Sequence, residues 1–320
     1  MAKIGTDITF AEQLLSNGEL VAIPTETVYG LAGNSFDKQA VTEIFKAKNR
    51  PFFDPLILHT NSIDKILTFV ESIPENLQKL ADTFWPGPLT LLLNRKNIVP
   101  DLVTSGLETV AVRIPSHSLT LELLSKLDFP LAAPSANPFG YISPTSAAHV
   151  EAQLGEKIPY ILDGGNCQVG LESTIVGVDE NGDAVIYRLG GLSVEKIEAV
   201  IGKVKVNAHS SSNPKAPGML KSHYSPRKPF LIAPSDEQLS NYNIDRVGVL
   251  CFGELNPKFN INNQISLSSN KDLEEAAQNL FASLRQLDSM DIDVIFLEKL
   301  MPLYGLGLAM NDRLKRAAAV

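Results

Sequence analysis

Residues 20–31, LVAIPTETVYGL, restrict this chain more than any other stretch. The apolar run 20–23 reads as a short buried strand. Pro24 then removes the backbone donor that would continue the ladder. Thr25, Glu26, Thr27 and Tyr29 follow at once, so hydroxyls, a carboxylate and a phenol crowd one strand end. Gly30 lets the backbone turn or approach a ligand closely. Open α/β sheets bind ligands beyond the carboxyl ends of their strands. An ordinary strand-to-loop turn carries the same residue types, so the segment alone decides nothing.

The pattern recurs. A short strand at 130–133 runs into Pro134, Ser135, Ala136 and Asn137, and Glu172, Ser173 and Thr174 open another strand. Between them, Asp37 caps a helix whose apolar stripe is Ala40, Val41, Ile44 and Phe45, and Pro51 ends it. Lys48 falls on that stripe, and Arg50 lies just past the helix. A cation at a helix C-terminus compensates the dipole, but that role does not require Lys48 to face inward. The strand 55–60 carries His59. Along 109–115, Val110, Val112 and Ile114 share one face, while Thr109, Ala111 and Arg113 share the other. The small Ala111 leaves room between Thr109 and Arg113 for something small, unless that face is solvated. Leu89 to Leu93 reads as a central strand. Ser143 and Pro144 read as N-cap and first residue of a helix, which is an anion site by geometry. Near the start, Thr9 and Glu12 read as a capping box.

A length of 320 residues suits two domains. A net charge of -8 argues against a surface built to hold nucleic acid, though not against a small anionic ligand. No apolar run approaches the roughly 18 residues that span a bilayer, and the opening MAKIGTDITF lacks a signal-peptide layout. Cys167 and Cys251 offer neither a zinc pattern nor a disulfide framework. These features point to a cytoplasmic chain with no membrane partner. The segment 207–218, NAHSSSNPKAPG, is aperiodic and reads as a linker, with the polar, basic 220–228 behind it. Strands at 230–233, 247–252 and 294–297 then alternate with a helix on Leu273, Ala276, Leu280, Phe281, Leu284 and Leu287. The expected division is a domain at 1–206, a linker at 207–228 and a smaller α/β domain at 229–320. The segment NDRLKR, 311–316, reads as a solvated helix face.

The chain has no GxSxG, HExxH, Walker A or GxGxxG. Cations and hydroxyls recur instead, at Thr27, Lys48, Arg50, His59, Thr109, Arg113, Ser135, Asn137, Ser143, Ser173 and Arg188. That inventory suits phosphoryl or nucleotidyl transfer, in which a protein positions reactants and neutralises charge.

PTETVYGL, KNRPFFDPLILH, VRIP, APSANPFGYISPT and DGG with ESTIV, in this order, resemble the YrdC-like family of threonylcarbamoyl-AMP synthases. The likeness covers about 8–203, and APGMLKSHYSP with the α/β tail resembles the family's two-domain form. The implied fold is a YrdC-like twisted mixed sheet with flanking helices plus a smaller Rossmann-like α/β C-terminal domain. The implied reaction joins L-threonine, bicarbonate and ATP into threonylcarbamoyl-AMP and pyrophosphate, with Mg²⁺ accompanying ATP. A separate tRNA threonylcarbamoyl-transferase complex would consume the product beside the anticodon. By the motifs, Thr27, His59, Arg113, Ala133 and Ser173 hold threonine. Lys48, Arg50, Ser135 and Asn137 serve the phosphates. Arg50, Asp54, Thr109, Ser135, Ser143, Arg188, His223 and Tyr224 meet ATP. Asp54 departs from the motif, since a carboxylate near phosphates is repulsive unless it faces metal or solvent. The metal ligands stay unassigned. The linker, with Lys221, His223, Tyr224 and Arg227, reads as a lid over the nucleotide or as a plain connector. Two other readings stay open: a double-stranded-RNA or tRNA-binding module with weak tRNA contact, and carbamoyl transfer of the hydrogenase-maturation type.

Overall fold

The computed structural model describes residues 1–207, 217 and 223–319. Most of the expected linker, 208–216 and 218–222 with Lys221, lies outside the described residues, as does Val320.

The strands of the first unit are β1 Lys3–Gly5, β2 Val21–Ile23, β3 Gly30–Asn34, β4 Ile57–His59, β5 Leu89–Asn94, β6 Thr109–Arg113, β7 Leu131–Ala132, β8 Tyr160–Leu162, β9 Thr174–Val178, β10 Ala184–Arg188 and β11 Lys205–Val206. They join in the order β1-β8-β2-β3-β7-β4-β6-β5-β9-β10-β11, a mixed sheet. Around it lie α1 Ile8–Ser16, α2 Lys38–Lys48, α3 Ile63–Phe69, α4 Glu75–Phe84, α5 Asp101–Thr104, α6 Ser118–Lys126, α7 Ala147–Leu154 and α8 Val194–Ile201. A second, smaller sheet is all parallel in the order β12-β15-β13-β14, from β12 Phe230–Ile232, β13 Val247–Cys251, β14 Gln264–Ser266 and β15 Val294–Leu297. With it come α9 Asp236–Leu239, α10 Leu273–Ser289 and α11 Gly307–Ala317. This is the expected α/β class.

Helix α2 behaves as its stripe requires. Ala40, Val41, Ile44, Phe45 and Lys48 are all buried, Asp37 accepts from the Gln39 amide, and Asn49 closes the C-terminus in the left-handed region at φ 52°. Each large apolar side chain withdrawn from water contributes about 2 kcal/mol. Lys48 is the exception on that face, and its ammonium must find oxygen partners. Two expected caps fall elsewhere. Asp7, not Thr9, caps α1 and accepts from the Phe10 amide. Its position one residue before the helix lets a carboxylate reach an orphan amide. Ser146, not Ser143, caps α7 and accepts from the His149 amide.

The two units share a core. One apolar cluster contains Val28, Ile142 and Leu171 of the first unit together with Tyr224, Leu280, Phe281 and Leu284 of the second. Gly170, at φ 72°, permits this approach. A Cβ there would lie 2.5 Å from the Ala277 carbonyl oxygen and from Gln278 Cα on α10. The 311–316 segment, expected to be solvated, belongs to α11 and is largely inside: Asn311, Arg313 and Arg316 are buried. Among the described residues, no helix is long and apolar enough to cross a membrane.

Candidate active site

The crowded strand ends meet. The Gly30 backbone bridges that of Ser135, the Leu31 amide donates to the Pro134 carbonyl, and the Ala136 amide donates to the Tyr29 carbonyl. Tyr29 itself turns away and donates from its hydroxyl to the Gly165 carbonyl at 2.8 Å. Behind these loops opens a cavity lined by Thr27, Arg50, His59, Arg113, Ala133, Ser135, Ser173, Arg188, His223 and Tyr224 among others.

One side of the cavity is built on β4 and β6. They run parallel and set His59 directly beside Arg113 at their carboxyl ends. Arg113 donates from Nη1 to Thr27 Oγ1 at 2.8 Å and from Nε to the Gly87 carbonyl at 3.2 Å. Its Nη2 lies 2.7 Å from Glu26 Oε1. A guanidinium carries five N–H donors, so donors remain for a ligand carboxylate. Burial and the Arg113 charge hold the His59 imidazole down at about 3, so it is neutral at working pH.

The other side gathers cations. Arg188 donates to the Ser173 carbonyl and hydroxyl and to the Pro217 carbonyl. Ser173 Oγ lies 2.6 Å from Thr90 Oγ1. Arg50 donates to the carbonyls of Asp54 and Pro55 and pairs with the Asp54 carboxylate at 2.9 Å. Asp54 is fully buried and does not face solvent; its pairing with Arg50 offsets the expected repulsion. Burial, and then the Arg50 and Lys48 charges, push His223 well below its ordinary range. Nδ1 of His223 has no hydrogen-bond partner among the described residues. A positive field that discourages protonation of an imidazole favours an anion in the same place.

Five expected site residues do not line the cavity. Lys48 lies behind it and donates from Nζ to the Ser135 and Asn137 carbonyls at 2.5 Å. Asn137 donates to the Pro138 and Tyr141 carbonyls. Lys48 and Asn137 thus hold the 135–141 loop in shape. Asp54 sits behind Arg50. Ser143 donates to Glu172 Oε1 at 2.6 Å. Thr109 starts the strand that Arg113 ends, roughly 13 Å away at strand rise, and is only half-buried.

Glu172 lines the cavity, and Arg313 of α11 donates to its Oε2 from Nε at 3.1 Å. Neither was singled out as a site residue. The ESTIV motif could have marked Glu172; nothing local could have marked Arg313.

The family model Sua5_yciO_yrdC, described as "Telomere recombination", matches residues 13–190. A second, "Threonylcarbamoyl-AMP synthase, C-terminal domain", matches residues 192–319. The threonylcarbamoyl-AMP synthase of Pyrococcus abyssi is 40% identical, with 97% of this chain and 94% of the relative covered. That of Bacillus subtilis is 39% identical, covering 97% and 92%. This chain belongs to the two-domain threonylcarbamoyl-AMP synthase family. Within this family, the crystal structure of P. abyssi Sua5 complexed with L-threonine matches with a TM-score of 0.88, covering 97% of this chain and 94% of that one.

Proposed function

We propose that the chain joins L-threonine, bicarbonate and ATP into threonylcarbamoyl-AMP, releasing pyrophosphate and water. The observation that carries this reading is one cavity with two unlike sides. The Arg113 side offers a guanidinium, the Thr27 hydroxyl and a neutral His59 imidazole. A planar fork suits the carboxylate of an amino acid. The His223 side offers Arg50, Arg188 and an unsatisfied imidazole nitrogen, which suit phosphate oxygens. The threonine amine takes up carbon dioxide to form a carbamate. A carbamate oxygen attacks the α-phosphorus, the α–β phosphoanhydride bond breaks, and pyrophosphate carries away its electron pair. The protein positions the reactants and neutralises charge, and no covalent nucleophile is needed.

Among the described residues no group of three or more His, Cys, Asp or Glu could hold an ion. Glu26, Asp54 and Glu172 each face an arginine. Mg²⁺ is therefore assigned to the phosphates of the incoming ATP. The product, a labile mixed anhydride, would pass in the cytoplasm to a transferase acting on the adenosine beside a tRNA anticodon.

The test is pyrophosphate release from purified protein with MgATP, threonine and bicarbonate. Release is expected only when all three are present. Equal release from ATP alone would overturn the reading.

A further inference from the structure

No residue of α10 or α11 is assigned by the motifs, yet the C-terminal helices reach the site. Arg313 is 1% exposed and is among the largest fully buried side chains. It stands on α11 and crosses between the units to Glu172. Glu172 in turn accepts from Ser143 through its other oxygen. The same guanidinium lies over the Tyr224 ring, 5.3 Å from its centroid. Phe281 of α10 stacks on that ring at 5.5 Å.

Tyr224 needs such support. Its φ is 68°, a region costly for a bulky side chain. A residue persists there only when its surroundings over-determine it. Arg313 and Phe281 supply those surroundings, and His223 packs on the same ring at 4.2 Å. Arg313 Nη1 is held by Asp312 at 2.8 Å, while Nη2 has no hydrogen-bond partner among the described residues.

We propose that Arg313 is a positioning residue for the nucleotide: it holds Glu172 in the cavity wall, and over Tyr224 it fixes the aromatic part of that wall. This inference rests on the reading of the His223 side as the ATP side. A guanidinium does both jobs because it combines a directional donor with a flat cation that stacks on a ring. Lysine keeps the charge and loses the flat face.

The experiment compares wild type, Arg313→Lys, Arg313→Met and Glu172→Gln by pyrophosphate release, melting temperature and calorimetric ATP binding without threonine. Arg313→Met is expected to raise the ATP KM about tenfold, which corresponds to about 1.4 kcal/mol, and to leave the threonine KM within about twofold. Arg313→Lys should fall between wild type and Arg313→Met. Glu172→Gln should shift the ATP KM in the same direction by less. A purely structural residue would lower the melting temperature and move both KM values together; that result, or an unchanged ATP KM, overturns the proposal. If Arg313→Met does not fold, the Lys and Gln variants decide by the same criterion. Should wild type bind ATP without making threonylcarbamoyl-AMP, the functional reading fails alone, and the calorimetric loss in Arg313→Met still decides. Should wild type neither turn over nor bind ATP, both fail.

Discussion

The two sides of the cavity are built on different terms. On the Arg113 side, the cation stands beside His59 at the ends of two adjacent parallel strands and meets Glu26 and the Thr27 hydroxyl from the loop after β2. A ligand arriving there finds a preset and electrically balanced frame, and it competes with Glu26 for the arginine. On the His223 side the groups come from a loop at 50–55, a strand end, His223 and Tyr224 near the end of the expected linker and, one layer back, α11. Charge there is less fully matched: Lys48 Nζ meets backbone carbonyls, and a nitrogen each of His223 and Arg313 has no partner among the described residues. The first side favours selection of a small molecule by shape. The second draws in a polyanion and depends on how its separate pieces are held.

The sharpest way to break this contrast is Arg113→Lys, which keeps the charge and removes the fork. The threonine KM should rise roughly a hundredfold, about 2.7 kcal/mol, with ATP affinity nearly unchanged. A threonine KM that stays put would remove Arg113 from the amino-acid side.

Gly170→Val attacks the other side from a distance. Its Cβ would strike the α10 backbone, and φ 72° is unfavourable for valine. Stability should fall by about 2 kcal/mol, and the ATP KM should rise while the threonine KM holds. Equal disturbance of both substrates would mean that the sides are not mechanically separate.

Lys48→Met should cost about 1.5 kcal/mol, the loss of a charged donor to two carbonyls. Because Lys48 supports the Ser135 loop from behind, kcat should drop while threonine still binds. Urea unfolding with isothermal titration of threonine tests both halves. Unchanged kcat with reduced stability would confine Lys48 to a helix-end role.

The smallest effect concerns pH. The folded-state value of His59 is held at about 3, below the ordinary 6.5. Its contribution is fully present above pH 6.5 and is lost as pH falls toward 3, because only the unfolded chain then takes up the proton. At pH 5.5 the loss from this group is about 1 kcal/mol. Comparison of urea midpoints for wild type and His59→Gln at pH 7.5 and 5.5 should show a shallower decline in the variant. Parallel declines would mean that His59 ionises freely in the folded protein.

The Arg113 side was legible in the sequence because its chemistry follows local rules. Two-residue alternation along 109–113 put Arg113 opposite Val110 and Val112. On the other side, the 3.6-residue period put Lys48 inward. The same alternation could not place Thr109, since a shared face says nothing of distance along the strand. Asp54 was read without its partner, although Arg50 stands four residues away, because the 50–55 turn folds back on itself. Asn311, Arg313 and Arg316 read as solvated because polar composition on a helix ordinarily means water. Arg313 is buried against Glu172, 141 residues away in sequence, and Asn311 against the Met301 backbone. Ser143 lost its expected cap role to Ser146, three residues on, because its hydroxyl is taken by Glu172 and the helix begins only at Ala147.

The apolar cluster that joins Val28, Ile142 and Leu171 to α10 has a consequence for how the chain can be divided. A fragment ending near residue 207 would turn those side chains toward water as one greasy patch beside the cavity mouth, a surface prone to self-association. The seam also ties heat-induced unfolding of the C-terminal sheet to loss of the cavity. A calorimeter should then record one endotherm, and ligands that touch only the first sheet should protect the second from proteases as well.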